Sequence, residues 1–328
     1  MMRLDGVMQR LDQAPLSQDE VHALVYDIMD EEQRKMFEES LEIDFSCDLG
    51  EVGRFRVNVF MQQHGEGVVF RTIPTEIASF EQLGLPSILS QLCTRRKGLI
   101  LVTGPTGCGK STTLAAMVNH LNETVEGHIV TIEDPIEFAH QSKQCLVNQR
   151  ELGVHTHSFA NALRAVLRED PDIILVGEMR DLETIQLVLT AAETGHLVLS
   201  TLHAPGVAQA VDRIIDVFPA AQQPQIRTQF ADAIEAIITQ TLCQKKGGGR
   251  VAALEILVSS PAVRTLIRES KGHQILSALQ VGQKDGMQTM DRALVDLATR
   301  GLITQEEAQA KSPTPNLFGQ AGRTVLRR

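Results

Sequence analysis

The sequence has no tryptophan and a single tyrosine. Base-stacking platforms for single-stranded nucleic acid are therefore poorly supplied, with phenylalanine alone left for the role. Its five cysteines stand at 47, 93, 108, 145 and 243, and none forms a C-x-x-C pair. That argues against a zinc ribbon, and the scatter is that of reduced, cytosolic thiols. No apolar stretch approaches the ~20 residues needed to span a bilayer, and residues 1–20 are too polar for a secretory signal. Any membrane role must then come through a partner.

Positive charge is scarce at one end only. Residues 1–90 hold 17 acidic and 7 basic residues, while the rest holds 24 of each, so the net charge of −10 belongs to the N-terminal part. Such a surface repels phosphate backbones, which argues against non-specific nucleic-acid binding there. The asymmetry also predicts a domain boundary near residues 80–95, as does a length of 328 residues.

Against these absences stands Gly104-Pro105-Thr106-Gly107-Cys108-Gly109-Lys110-Ser111, which reads G-x-x-x-x-G-K-[ST]. Glycines at this spacing let consecutive backbone N–H groups turn inward around a phosphate chain. Lys110 is placed to reach the outer phosphates and the Ser111 hydroxyl to ligate Mg²⁺. The helix starting at the loop, through Ser111 and Thr112, adds its positive dipole end. Leu99 to Val102 supplies the buried strand that must precede such a loop. Strand, loop and helix in this order predict binding of a nucleoside triphosphate.

Two acidic segments follow candidate buried strands. Ile173 to Val176 leads to Glu178, at the strand end where ligands bind in open α/β sheets. Glu178 is a candidate for polarising water or holding Mg²⁺ through water; a plain helix cap is the competing reading. Thr131-Ile132-Glu133-Asp134-Pro135-Ile136-Glu137 places a second cluster on the same side, either to orient water or as a solvated turn. His196 and His203 bracket the strand Leu197 to Leu202 and fall at its opposite ends or in the flanking turns. His155 and His157 have i, i+2 spacing, but no carboxylate or cysteine completes a metal site nearby, so they read as surface residues. Cys108, inside the loop, reads as a small filler rather than as a redox switch.

The N-terminal part is expected to be α+β. A helix is predicted over Ser17 to Met36, opened by a Ser17/Glu20 capping box, with strands at 55–61 and 67–73. Further on, strands at 99–103, 128–132, 173–177, 196–201 and 251–258 alternate with helices at 158–169, 181–193 and 223–242. This predicts an α/β sheet, at least partly parallel. Helices at 261–271 and 287–300 form a C-terminal bundle, and 312–328 reads as a frayed tail. The expected domains are 1–84 and 85–328.

Together these segments resemble the secretion ATPases of type II secretion and type IV pili. The loop, the acidic box, Leu167 to Asp172 leading into Val176 to Asp181, and Ala192 to His203 carry the resemblance. Ala262-Val263-Arg264-Thr265-Leu266-Ile267-Arg268-Glu269 is similar to a motif of the pilus-retraction branch. The resemblance implies a RecA-like P-loop NTPase domain preceded by a smaller PAS-like α+β domain. It implies a homohexamer that hydrolyses Mg-ATP (ATP and Mg²⁺ as cofactors) to drive pilus retraction and twitching motility. The catalytic set it implies is Glu178, Glu133 and Lys110. It brings Arg54, Arg56 and Arg71 to the nucleotide phosphates, and His196 and His203 to the nucleotide and the subunit interface. The partner it implies is a pilus platform protein of the inner membrane. The chain would then be cytoplasmic, peripheral at the inner face of the cytoplasmic membrane, with no nucleic acid bound.

Three departures stand out. The family carries a longer segment ahead of the match to Met1–Gly6, so the N-terminal domain is expected to be shortened. Cys108 replaces a serine, and Ala204-Pro205-Gly206 replaces the common residues after the histidine. Alternative readings are an assembly or type II secretion ATPase of the same superfamily, and a RecA-like nucleic-acid translocase.

Overall fold

The computed structural model describes residues 1–4, 7–74 and 76–315. From residue 316 onward the expected tail lies outside the described residues. The chain divides into two compact units, Met1–Thr75 and Glu76–Arg328. The division precedes the expected 84/85 boundary because Phe80 is already buried in the second unit's core, with Leu83 and Leu85 packed against it.

In the first unit, β1 (Met2–Leu4) and β2 (Val7–Gln9) form a short antiparallel ribbon. The helix expected over 17–36 is in fact two, Gln18–Asp27 and Glu31–Ser40. The expected Ser17/Glu20 capping box opens the first. A second box opens the next: Asp30 accepts from the Gln33 N–H at 2.8 Å, and the Gln33 side chain accepts from the Asp30 N–H at 3.0 Å. A capping residue in mid-pattern outcompetes the helix around it because its side chain bonds the backbone locally. Next come β3 (Glu42–Asp48), β4 (Arg54–Gln62) and β5 (Gly65–Ile73), antiparallel in that order. Of these, β3 was not anticipated. Val25, Phe37, Ile43, Phe45, Val57 and Val59 form the core between helices and sheet.

The second unit is built on seven strands: β6 (Gly98–Thr103), β7 (Gly127–Glu133), β8 (Cys145–Glu151), β9 (Ile173–Val176), β10 (Leu197–Leu202), β11 (Ile234–Gln244) and β12 (Arg250–Val258). Their order is β12-β11-β6-β10-β9-β7-β8, parallel except for the β11–β12 hairpin. This is the mixed α/β architecture expected. All of β6, β9 and β10 is buried, as strands covered by helices on both faces must be. The helix expected over 223–242 ends at Ala233, and the rest of that stretch is β11. Ile234, Ile237, Ile238, Thr239 and Thr241 are β-branched and the run has no polar face. Period alone cannot distinguish such a segment from a buried helix. Strand β8 was also unforeseen. Beyond β12, helices Pro261–Arg268 and Met290–Thr299 fall where helices were expected, but the first packs into the main core and the second against β12 in a separate cluster.

Candidate nucleotide-binding site

The loop between β6 and the helix Lys110–Thr124 emerges at the carboxyl edge of the parallel sheet. Gly104, Gly107 and Gly109 have φ of +141°, +77° and +89°. At Gly104 the need for glycine is doubled. A Cβ there would stand 2.4 Å from the Gln240 carbonyl oxygen and 2.7 Å from Cys108 Sγ. Cys108 is buried, and burial pushes its thiol up, so it packs as a thiol under the loop. This is the filler reading.

Lys110 is buried, and its ammonium donates to the carbonyls of Gly104 and Pro105, both at 3.1 Å. Desolvation lowers its proton affinity. His203 Nδ1 stands 3.5 Å from the same ammonium. Ser111 and Thr112 open the helix beyond the loop, both half-buried.

Glu178 follows β9 at the same edge, its side chain 14% exposed. It pairs with Arg180, and its other oxygen lies 3.4 Å from His203 Nε2. The helix Leu182–Glu193 is capped by Asp181, which accepts from the Thr184 N–H at 2.8 Å. The capping role is therefore taken, and Glu178 is left facing Lys110 through His203. Burial lowers the imidazole's proton affinity, and Lys110, Arg213 and Arg180 lower it further.

Glu133 ends β7, beside β9. The Gly177 N–H donates to the Ile132 carbonyl at 2.8 Å, which brings the two acidic strand ends together. Half-buried, Glu133 accepts from the Thr131 hydroxyl at 2.7 Å and the Gln149 amide at 3.1 Å. Burial raises its carboxyl despite these bonds. Asp134 and Glu137 are exposed, and Asp134 lies 3.7 Å from Arg180. The acidic box is thus one held carboxylate followed by a solvated turn.

His203 sits just past the carboxyl end of β10, whereas His196 precedes its amino end, its Nδ1 3.0 Å from the Ala191 carbonyl oxygen. Since β10 runs parallel to β6, one histidine stands at the loop and the other at the far edge of the same unit. The residues' own pattern foresaw these opposite ends; the structure brings His203 to the loop and not His196. His155 Nδ1 accepts from the Glu151 N–H at 3.0 Å within a turn. No group of three His, Cys, Asp or Glu residues suited to a metal occurs among the described residues. Mg²⁺ with a nucleotide asks for less, commonly one or two protein ligands plus phosphates and waters. The donors here, a hydroxyl at Ser111 and carboxylates at Glu178 and Glu133, have that hard-oxygen character.

Arg54, Arg56 and Arg71 lie in the first unit and share one face of its sheet. Arg56 is the cross-strand partner of Arg71, and Arg54 is two residues along β4. Arg56 Nε is 3.7 Å from Asp44, and Arg54 lies 3.5 Å from the Ser46 hydroxyl. A cavity of about 680 Å³ opens on the flank of the loop rather than over it, from Gly104, Pro105 and His203 to Glu255 and Met290. The residue that sequence reasoning missed is Gln240 of β11, which touches the loop at several points. Its only signal was an amide side chain set between two threonines in a mostly apolar run.

The family model described as type II/IV secretion system protein matches residues 1–310. The chain is 55% identical over 318 residues to the type IV pilus retractation ATPase PilT of Pseudomonas aeruginosa, covering 97% of this chain and 92% of that one. It is also 55% identical over 313 residues to the twitching motility protein of Neisseria gonorrhoeae, covering 95% and 84%. The crystal structure of the pilus retraction motor PilT with bound ADP superposes with a TM-score of 0.90 at 49% identity, covering 96% of this chain and 90% of that chain. Identity of this extent over nearly the whole length places the chain in the family of type II/IV secretion system proteins.

Proposed function

We propose that this chain is an ATP-hydrolysing motor that drives retraction of type IV pili. The observation that carries the proposal is 55% identity, across 97% of the chain, to a pilus retractation ATPase. The geometry at the loop supports it: a lysine, a half-buried carboxylate and an imidazole meet where the phosphate chain would lie.

ATP enters along Gly104 to Thr112. Lys110 leaves two loop carbonyls for the phosphates, trading neutral partners for charged ones. Glu178 accepts the proton of the attacking water and orients its lone pair in line with the transferred phosphoryl group. Glu133 takes part from the neighbouring strand end. Ser111, with the carboxylates of Glu178 and Glu133, would hold Mg²⁺, which would supply charge neutralisation at the phosphate oxygens. His203 links Lys110 to Glu178 and so registers whether the outer phosphate is present. Arg54, Arg56 and Arg71 stabilise charge on the phosphoryl group, and a closed homohexamer is the assembly that makes such arrangements repeat. His196 belongs to the subunit interface in this reading. The platform protein of the inner membrane receives the motion, and the motor is cytoplasmic, peripheral at the membrane's inner face.

The test pairs a cell with a tube. Loss of the gene is expected to abolish twitching while surface pili accumulate, and the purified chain to hydrolyse ATP at a rate indifferent to single-stranded DNA. Pili lost from the surface would instead identify an assembly motor, and a DNA-stimulated rate a translocase.

A further inference from the structure

We propose that Gln240 is a positioning residue that holds the phosphate loop in its anion-receiving shape. This rests on the reading of the loop as a nucleotide site. Strand β11 runs parallel to β6 with Ile238 beside Val102 and Thr239 beside Thr103. Gln240 therefore comes one step past the last residue of β6, where the chain leaves the sheet to become the loop. It is 2% exposed.

From that place it touches both ends of the loop. Its Nε2 donates to the Cys108 carbonyl at 2.6 Å, and its Oε1 accepts from the Thr113 hydroxyl at 2.7 Å. Its own backbone oxygen fills the space a Cβ would need at Gly104, and its Nε2 stands 2.8 Å from a Cβ position at Gly109. Two glycines of the loop are thus moulded on one residue.

The consequence follows from peptide geometry. In a planar trans peptide the carbonyl of one residue and the N–H of the next point in opposite directions. Fixing the Cys108 oxygen toward Gln240 turns the Gly109 N–H the other way, toward the hollow of the loop. A bond from a buried amide thereby aims a backbone donor at an incoming phosphate before the phosphate arrives. The amide is the right group because one end must donate and the other accept. An ionised carboxylate offers only acceptors and would repel the Cys108 oxygen.

The test measures ADP affinity of the full-length protein well below its melting temperature. Gln240→Met keeps length and neutrality and removes both bonds. Its Kd for ADP is expected to rise tenfold or more. Thr239→Val supplies the control: it removes an equally buried bond, to the Thr103 hydroxyl at 2.7 Å, that does not reach the loop. It should lower the melting temperature yet leave the Kd within twofold. Gln240→Glu adds a second readout. Its carboxyl regains one donor and one acceptor when protonated, so its ADP affinity should recover toward wild type as pH falls, unlike that of the wild type itself. A Kd within twofold of wild type in folded Gln240→Met overturns the proposal. If that variant does not fold, a pH-independent affinity in Gln240→Glu overturns it. Wild-type protein that binds no ADP would refute the nucleotide site instead.

Discussion

At the scale of single residues, the proposed function assigns binding to Lys110 and chemistry to Glu178. Glu178 has no bond to the loop, so Glu178→Gln should bind ATP as wild type does. Its turnover should fall by ~10²–10⁴, the usual share of a general base. Lys110→Ala should lose binding too, by ~10–100-fold, because a charge-assisted contact to phosphate is removed. Equilibrium binding of a fluorescent nucleotide and steady-state turnover separate the two; near wild-type turnover in Glu178→Gln removes it from the catalytic role. A different residue sets an acid limit on the fold. Burial, helped by Lys143, lowers the His140 imidazole from 6.5 to about 4. Between those values the unfolded chain holds a proton that the folded chain lacks. Stability should therefore fall as pH drops through this window, by about 3 kcal/mol in full. Denaturant titrations at pH 7 and pH 4.5 should show the slope, and His140→Gln should flatten it. An unchanged slope in that variant would show that other groups carry the acid sensitivity.

At the scale of elements, the helix Pro261–Arg268 is a clear case of a legible pattern with an illegible partner. Spacing predicts Val263, Leu266 and Ile267 inward; Val263 and Ile267 are fully buried, and Leu266 packs half-buried against the core. The same spacing leaves Arg264 and Arg268 outward, yet Arg264 folds back. It donates to the Ala231 carbonyl at 2.6 Å, to the Asp232 carbonyl, and to Glu235 at 2.9 Å. It thus satisfies the carbonyl end of the helix Gln223–Ala233, which the sequence had merged with β11. Arg268 pairs with Asp232 from an exposed position. Arg264→Ala should cost about 1–3 kcal/mol, since it strands carbonyls at a helix end. Arg268→Ala should cost under ~1 kcal/mol, as exposed ion pairs do. Thermal melts of the two variants decide this; equal shifts would mean that Arg264 is as dispensable as a surface arginine. The general reason is that period reports which face is buried, whereas a long cation's target depends on elements remote in sequence. The placement of the loop and of Glu178 at strand ends was legible because it depends on local order, strand then turn. Gln240 was not, because its role exists only once β11 lies beside β6.

At the scale of the whole molecule, charge placement bears on assembly. The first unit is acidic, yet Arg54, Arg56 and Arg71 gather on one sheet face, with two of them directly cross-strand. Like charges so placed are unfavourable unless an anion or acid shares them, and Asp44 beside Arg56 does so in part. Arg56→Ala or Arg71→Ala should then leave stability within ~0.5 kcal/mol while lowering turnover at least tenfold. Light scattering with ADP present should show a hexamer for wild type and both variants. A fully active monomer would contradict the ring. One more consequence lies in β11 itself. Its Glu235 grips Arg264 of the helix Pro261–Arg268, and five residues on its Gln240 grips the phosphate loop. That separation is about 17 Å of extended backbone, flanked by β6 and β12. Between Ala236 and Thr239 the strand is paired on both sides and barely stretches, while an irregularity in its pairing with β6 lies beside Glu235. A shift of the loop when a nucleotide arrives or leaves would then be passed along this strand toward the helix, with the irregularity beside Glu235 as its one point of give, and a load on that helix would travel back to the loop. The same strut would let mechanical tension set the rate at which the motor lets go of its spent nucleotide.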